Sequence, residues 1–415
     1  MKSLCLLLLV SFSVNAATEF RGILKEFLKN DPTYQEVELN TPVYDALYYQ
    51  GLSKLIIPRV TLSYGQNEQK NNVSLATNVD KFQFGSLNAS LDIFSFGRDW
   101  NVFQANRYAE KAQLMRVESQ LMIREAEIAD LVLGYLREAK NVEILNRLVK
   151  MKEEARQLSF KRLQRGIMSQ QDYQKVQLDA SNARAELFVA EQRLNTLTAQ
   201  FRSFAVKTLP TQYPWENDLS EARLNELMTL STDVSELPQF KEAFLNAESA
   251  AYESNAALAN MWGDVSFTFT RSYYDFPDAE LWEWRTSLVY TLPLFDQFDQ
   301  SVTRKRELAE RQAQEIRQKF EKRRVQEVLL AENNNLKISW KNWLERKEAL
   351  KISNKLYQST LGQFNQGKLS VNELFVDQDR LLRTEQIANE ALHQLHTSTL
   401  AFCHSRGRSY VKGCF

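Results

Sequence analysis

From Asp99 to Arg165 the chain contains no proline and a single glycine, Gly134. As one α-helix at about 1.5 Å per residue, such a segment would run on the order of 100 Å, far beyond the helices of globular domains. Its apolar residues carry the period of helix packing. Leu114, Leu121, Ile128, Tyr135, Val142 and Val149 fall every seven residues, and Leu131 and Leu145 lie three positions after members of that series. This is the pattern of a coiled-coil seam. Gly166 should break the helix, and Gln170 to Phe204 should return as a shorter antiparallel one. Only 12 glycines and 8 prolines in 415 residues suit long uninterrupted helices.

The chain also repeats itself. Gly166, Ser169 and Asp172 recur as Gly367, Ser370 and Glu373, a shift of 201 residues. The stretch Ser86, Leu87 to Ile93, Phe94 recurs as Ser287, Leu288 to Leu294, Phe295 at the same shift. One offset shared by two separated segments marks a duplication. The expected organisation is a first repeat over 17–206, with strands about 58–95, a long helix 99–165 and a return helix 170–204. A connection over 207–237 carries Pro210 and Pro214. The second repeat, 238–415, has strands about 264–294, a long helix 298–366, a return helix 370–404 and a C-terminal loop.

Strands are predicted where apolar and polar residues alternate. Arg59 to Tyr64, Phe82 to Ile93, Val265 to Thr270 and Ser287 to Tyr290 do so. The polar stretch Gln66 to Thr77 is expected to be a loop, as is the segment bearing Tyr273, Tyr274, Trp282 and Trp284. Helices are expected over Glu19 to Leu28, about Val43 to Leu55, and Pro238 to Asn260.

Residues 1–16 have the features of a secretory signal peptide: a basic start at Lys2, an apolar run from Leu4 to Val10, and the small residue Ala16 at the cleavage position. The run is too short to span a bilayer as a helix, which takes ~20 residues. Nothing beyond it reaches that length, but antiparallel strands of ~10 residues can span by closing a barrel. Cys403 and Cys414 remain after Cys5 leaves with the signal. In an exported, oxidising setting they are expected to form a disulfide, the alternative being two free thiols.

Enzymatic patterns are missing. Phosphate-binding glycine loops, zinc-protease helices and nucleophile elbows do not occur. His393 and His396 are three apart on a helix, without a suitable third ligand nearby, and read as a packed or exposed pair and not a metal site. Basic and acidic residues balance at 52 each, giving no bias toward nucleic acid. No enzyme activity and no cofactor is expected.

Two repeats of strand pair, very long helix, glycine turn and returning helix, behind a signal peptide, resemble the TolC-like outer-membrane efflux protein family. The specific likenesses are Asp92 to Arg98 and Leu292 to Asp296, similar to the family's passages from strand to long helix. Leu163 to Asp172 and Phe364 to Glu373 are similar to its helix-turn-helix tips, and Ile57 to Val60 to the start of its first strand. Met261 to Asp264 departs from the pattern, lacking the proline usual before the third strand. The resemblance implies a mainly α fold with membrane β. Three subunits would give four strands each to a twelve-stranded outer-membrane β-barrel, and their coiled-coil helices would continue as a periplasmic α-barrel. It implies a channel component of a tripartite efflux or type I secretion system, in contact with outer-membrane lipid. Partners would be a periplasmic adaptor protein docking at Gly166, Ser169, Gly367 and Ser370, and an inner-membrane pump. Asp172 and Glu373, six residues after each turn glycine, and Asp377 would narrow the pore, the alternative being a solvated outer face. The competing class is a periplasmic coiled-coil scaffold or adaptor without a pore, which has no need of duplicated strands.

Overall fold

The computed structural model describes residues 20–73, 76–206, 210–211, 213, 221–229, 233–276, 279–294, 298–366, 368–369 and 371–409. Helix α1 covers 20–30, followed by α2 (Pro32–Leu39) and α3 (Thr41–Ile56). Strands β1 (Arg59–Val73) and β2 (Ala76–Phe94) lead into α4 (Arg98–Gln164), and α5 (Gln170–Ser203) returns. After α6 (Glu221–Thr229) and α7 (Pro238–Ala259) come β3 (Asp264–Phe276) and β4 (Ala279–Thr291), then α8 (Asp299–Asn365) and α9 (Val371–Ser405). The duplication survives in backbone detail. Helices α4 and α8 have 67 residues each, and both α8 and α9 begin 201 residues after their counterparts.

The residues fall into two compact units. One holds Leu39–Glu118 and Pro238–Arg323, and the other holds Met1–Glu38, Ser119–Leu237 and Arg324–Phe415. The first contains the sheet, four antiparallel strands in the order β1-β2-β3-β4. Here the sequence reading needs two corrections. Gln66 to Thr77 is not a loop among the described residues: β1 and β2 stay paired from Arg59↔Ser90 out to Val73↔Ala76. Likewise Tyr273, Tyr274, Trp282 and Trp284 lie in β3 and β4, paired as Tyr273↔Trp282, Tyr274↔Leu281 and Arg271↔Trp284. A hairpin ladder is held by main-chain hydrogen bonds, so it continues past the point where one face stops being apolar.

Each strand-to-helix corner needs unusual backbone. Phe96 (φ 50) and Gly97 (φ 86) turn β2 into α4, and Phe298 (φ 69) stands 201 residues after Gly97. Arg98 then gathers the corner. Its guanidinium reaches Asp92 at 2.9 Å, Asp99 at 2.9 Å, Asp264 at 3.5 Å and the Asn260 side-chain oxygen at 3.4 Å. One cation thus joins the end of β2, the start of α4 and the start of β3.

In the other unit the core is apolar. Phe27 of α1 meets Phe201 of α5 edge-on at 4.7 Å, and Ile128, Val132 and Leu136 of α4 pack in the same cluster as Leu336 and Trp340 of α8 and Leu392 and Leu395 of α9. The buried stripe of α4 is wider than the seven-residue series indicated. Ile128 and Leu145 are fully enclosed, but Leu131, Tyr135, Val142 and Val149 only flank clusters centred on Val132, Leu133, Leu148 and Met151. A helix with neighbours on several sides needs a broader stripe than a two-stranded seam. Asp31, 0% exposed, accepts from Arg124 Nε at 2.7 Å, from its NH2 group at 3.1 Å and from the Tyr34 amide at 3.1 Å. Burial alone would push that carboxyl up, but the hydrogen bonding and charge of Arg124 with the Tyr34 and Thr33 amides together outweigh it and hold it below the usual range.

Two glycines should respond oppositely to alanine. Gly263 has φ +74, and a Cβ there would meet the Thr291 carbonyl oxygen within van der Waals contact, at 1.9 Å. Gly134 lies mid-helix with nothing within 4 Å of that position. Gly134→Ala is expected to raise the unfolding midpoint, by roughly 0.5–1 kcal/mol of stability. Gly263→Ala should lower it by more than about 2 kcal/mol. Thermal unfolding in detergent followed by circular dichroism checks both signs.

Candidate functional site

The sheet has two unlike faces, and the register tells them apart. Val60, Ala89, Phe269 and Thr286 form one cross-sheet row, and Leu62, Leu87, Arg271 and Trp284 form the next. Leu91, Phe267 and Leu288 lie in a row on the same face. These side chains are exposed although apolar: Leu62 is 78% accessible, Leu288 68% and Trp284 72%. Tyr64, Tyr273 and Trp282 lie toward the hairpin end of this face, and Tyr290 toward the helical end.

The opposite face is hydroxylated. Thr61, Ser63, Ser86, Asn88, Ser90, Ser266, Thr268, Thr270 and Ser287 alternate with the apolar set. Thr268 and Ser287 hydroxyls are 2.5 Å apart, and Thr270 donates to the Asn88 side chain at 2.7 Å. Strands apolar on one side and polar on the other are what a water-filled barrel in lipid requires. From Val265 to Tyr273 the apolar face covers on the order of 25 Å along the strand, comparable to a barrel's apolar band. No helix among the described residues is long and apolar enough to cross a membrane.

The first helix tip is fully described. Gly166 has φ 70, its amide donates to Leu163 O at 2.9 Å, and the Ile167 amide donates to Arg162 O at 3.0 Å. These are the paired bonds of a Schellman cap, which favours glycine at its left-handed position. Ser169 then caps α5. Its hydroxyl accepts from the Asp172 amide at 3.1 Å and donates to the Asp172 carboxylate at 2.7 Å, while Lys175 Nζ reaches the same carboxylate at 3.1 Å. Ser169 and then Lys175 hold the Asp172 carboxyl below its usual range.

At the second tip Gly367 and Ser370 lie outside the described residues. The Lys368 amide donates to Gln363 O at 3.0 Å, the bond equivalent to Ile167–Arg162 201 residues on. Glu373 is exposed in the first turn of α9. Asp377 is 17% exposed, accepting from Thr360 of α8 at 2.6 Å and Arg380 at 2.8 Å. Asp172 and Asp377 are therefore engaged by other side chains of the same chain. The Ser-x-x-acid spacing at Ser169–Asp172 and Ser370–Glu373 is a capping signature. Arg98 lies in the Asp92 to Arg98 stretch noted in the sequence, but its contacts with Asn260 and Asp264, more than 160 positions away, had no local signal.

Cys403 is 1% exposed and disulfide-bonded; Cys414 lies outside the described residues. No group of three or more metal-ligating side chains occurs among the described residues. His393 and His396 are packed in the helical core, His396 stacked on Tyr213 at 5.0 Å.

An open sheet with one apolar and one polar face is joined in the chain to two repeat-related helical hairpins. Residues 23–204 match the family model of the outer membrane efflux proteins. The fold matches the Campylobacter jejuni CmeC outer membrane channel with TM-score 0.80 at 11% identity, over 94% of this chain and 85% of that one. For the outer membrane protein VceC of Vibrio cholerae the TM-score is 0.78 at 14% identity, over 95% and 97%. For the open state of the Neisseria gonorrhoeae MtrE outer membrane channel it is 0.76 at 14%, over 94% and 89%. Comparison with curated proteins gives no sequence match. The chain thus resembles the TolC-like outer membrane efflux proteins, in sequence over its first repeat and in fold over nearly its whole length.

Burial makes the helical core acid-sensitive. It pushes His396 down to about 3 from an ordinary 6.5, with a smaller contribution from His393. Burial also lowers His393 and His404. A histidine neutral in the fold but protonated in the unfolded chain contributes stability that is complete above pH ~6.5 and is lost as pH falls toward the folded value. Unfolding midpoints should drop as pH falls from 7 to 4, and His396→Phe should make that slope shallower. Denaturant titrations at each pH measure it.

Proposed function

We propose that the protein is the outer-membrane duct of a tripartite efflux or secretion system, acting as a trimer. The observation that carries this reading is the sheet: four strands, two open edges at β1 and β4, and one lipid-compatible face. Open edges are not tolerated in hydrocarbon, and four strands cannot close on themselves. Three copies supply twelve strands, within the range of known barrels. The hydroxylated face then lines a water-filled passage, with the long helices continuing it into the periplasm. Mass measurement of the detergent-solubilised protein should give three subunits, and planar-bilayer recordings should give discrete conductance steps. A monomer with intact strand content would sink the proposal.

The tips are proposed as the docking points for a periplasmic adaptor that links the duct to an inner-membrane pump. The reading is supported by two turns with equivalent capping bonds, each between a 67-residue helix and its partner. Nothing lies within 4 Å of a Cβ built at Gly166, so a larger residue there strains the backbone without disturbing a neighbour. Gly166→Val/Gly367→Val should lower the crosslinking yield to the adaptor severalfold while leaving membrane insertion unchanged. Full adaptor capture by the double variant would remove the tips from the interface.

A further inference from the structure

We propose that Arg271, bedded against Trp282 and paired across the strands with Trp284, holds the phosphate of a lipid headgroup in the external leaflet. The inference rests on the duct reading, which puts this sheet in the membrane with its hairpin ends outward.

The register sets Arg271 on the apolar face, directly between Leu87 and Trp284. An arginine on a lipid-facing strand is costly at mid-membrane and nearly free at the interface. Arg271 lies two residues inside the Tyr273–Trp282 pair, about 7 Å along the strand. Its side chain covers that gap. The guanidinium carbon is 4.9 Å from the Trp282 ring centroid, and Trp282 and Tyr273 rings are themselves 4.6 Å apart. The charge is thus carried outward, toward the depth at which tyrosine and tryptophan meet headgroups.

What the guanidinium meets there narrows the ligand. Among the described residues it forms no ion pair with a carboxylate. Asp275 and Glu280, paired across β3 and β4, lie one row further out, beyond Tyr273 and Trp282. A planar cation with five donors matches a phosphate in a bidentate way. The aromatic bed selects the source of that phosphate. Trp282 is 59% exposed and Trp284 72%, apolar area that a free anion would leave bare and that acyl chains and a sugar or glycerol backbone would cover.

The test uses the full chain as a purified trimer, titrated with bisphosphorylated lipid A, the same lipid dephosphorylated, or inorganic phosphate, and read by native mass spectrometry. Wild type should retain the bisphosphorylated lipid, and Arg271→Gln should retain about tenfold less, the effect of one charge-assisted hydrogen-bonding group. Arg271→Lys should fall between. Equal retention of the dephosphorylated lipid by wild type, a comparison needing no variant, would overturn the proposal. So would undiminished retention by Arg271→Gln, or inorganic phosphate bound in the lipid's stead. An inserted trimer giving any of these results overturns only this inference. A wild-type chain that neither trimerises nor inserts removes the duct reading with it.

Discussion

The unpaired main chain along β1 and β4 governs how the rest of this protein can be used. Every amide and carbonyl along those edges needs a partner, and lipid offers none. The apolar face prevents the sheet from standing in water, because Leu62, Leu288 and Trp284 would be presented to solvent. The polar face prevents it from being buried in a dry core, since its serines and threonines would lose their solvation. The proposed closure with copies of itself around a wet interior meets both conditions. The helices are closed only in part by the same chain: Phe27, Phe201, Leu336 and Leu395 share one buried core, while Phe188, Ile316, Phe320 and Ile338 stand exposed.

Much of this was legible in the residues. The break at Gly166, the run without proline before it and the recurrence at 201 residues correspond to the tip and to two 67-residue helices. What local patterns could not carry was anything decided across the sheet. Gln66 to Thr77 is polar and so reads as loop, yet its backbone continues the β1–β2 ladder. Tyr273 and Trp282 read as loop aromatics, and only their pairing reveals them as neighbours on one face. The seven-residue series on α4 found the right side of the helix but missed its width, because α1, α5, α8 and α9 contribute to the same core.

At the tips, Asp172 and Glu373 hold equivalent positions in the two repeats. Asp172 is occupied by Ser169 and Lys175, and Asp377 by Thr360 and Arg380. For Asp172, an acid at the third position of a helix after a serine cap also stabilises the helix terminus, whose free amides favour negative charge.

The equality of α4 and α8 has a consequence for how such a chain can change over evolutionary time. Both helices follow a strand and are followed by a returning helix, so neither can absorb an insertion locally. Seven residues lost from one alone would shorten it by about 10 Å relative to the other. A change far from a whole number of turns would also rotate every later side chain onto a different side of the helix. Descendants of this sequence should therefore lengthen or shorten in matched steps, one in each half, with sizes near multiples of the helical repeat, while the hairpin ends of the sheet drift in length without that bookkeeping.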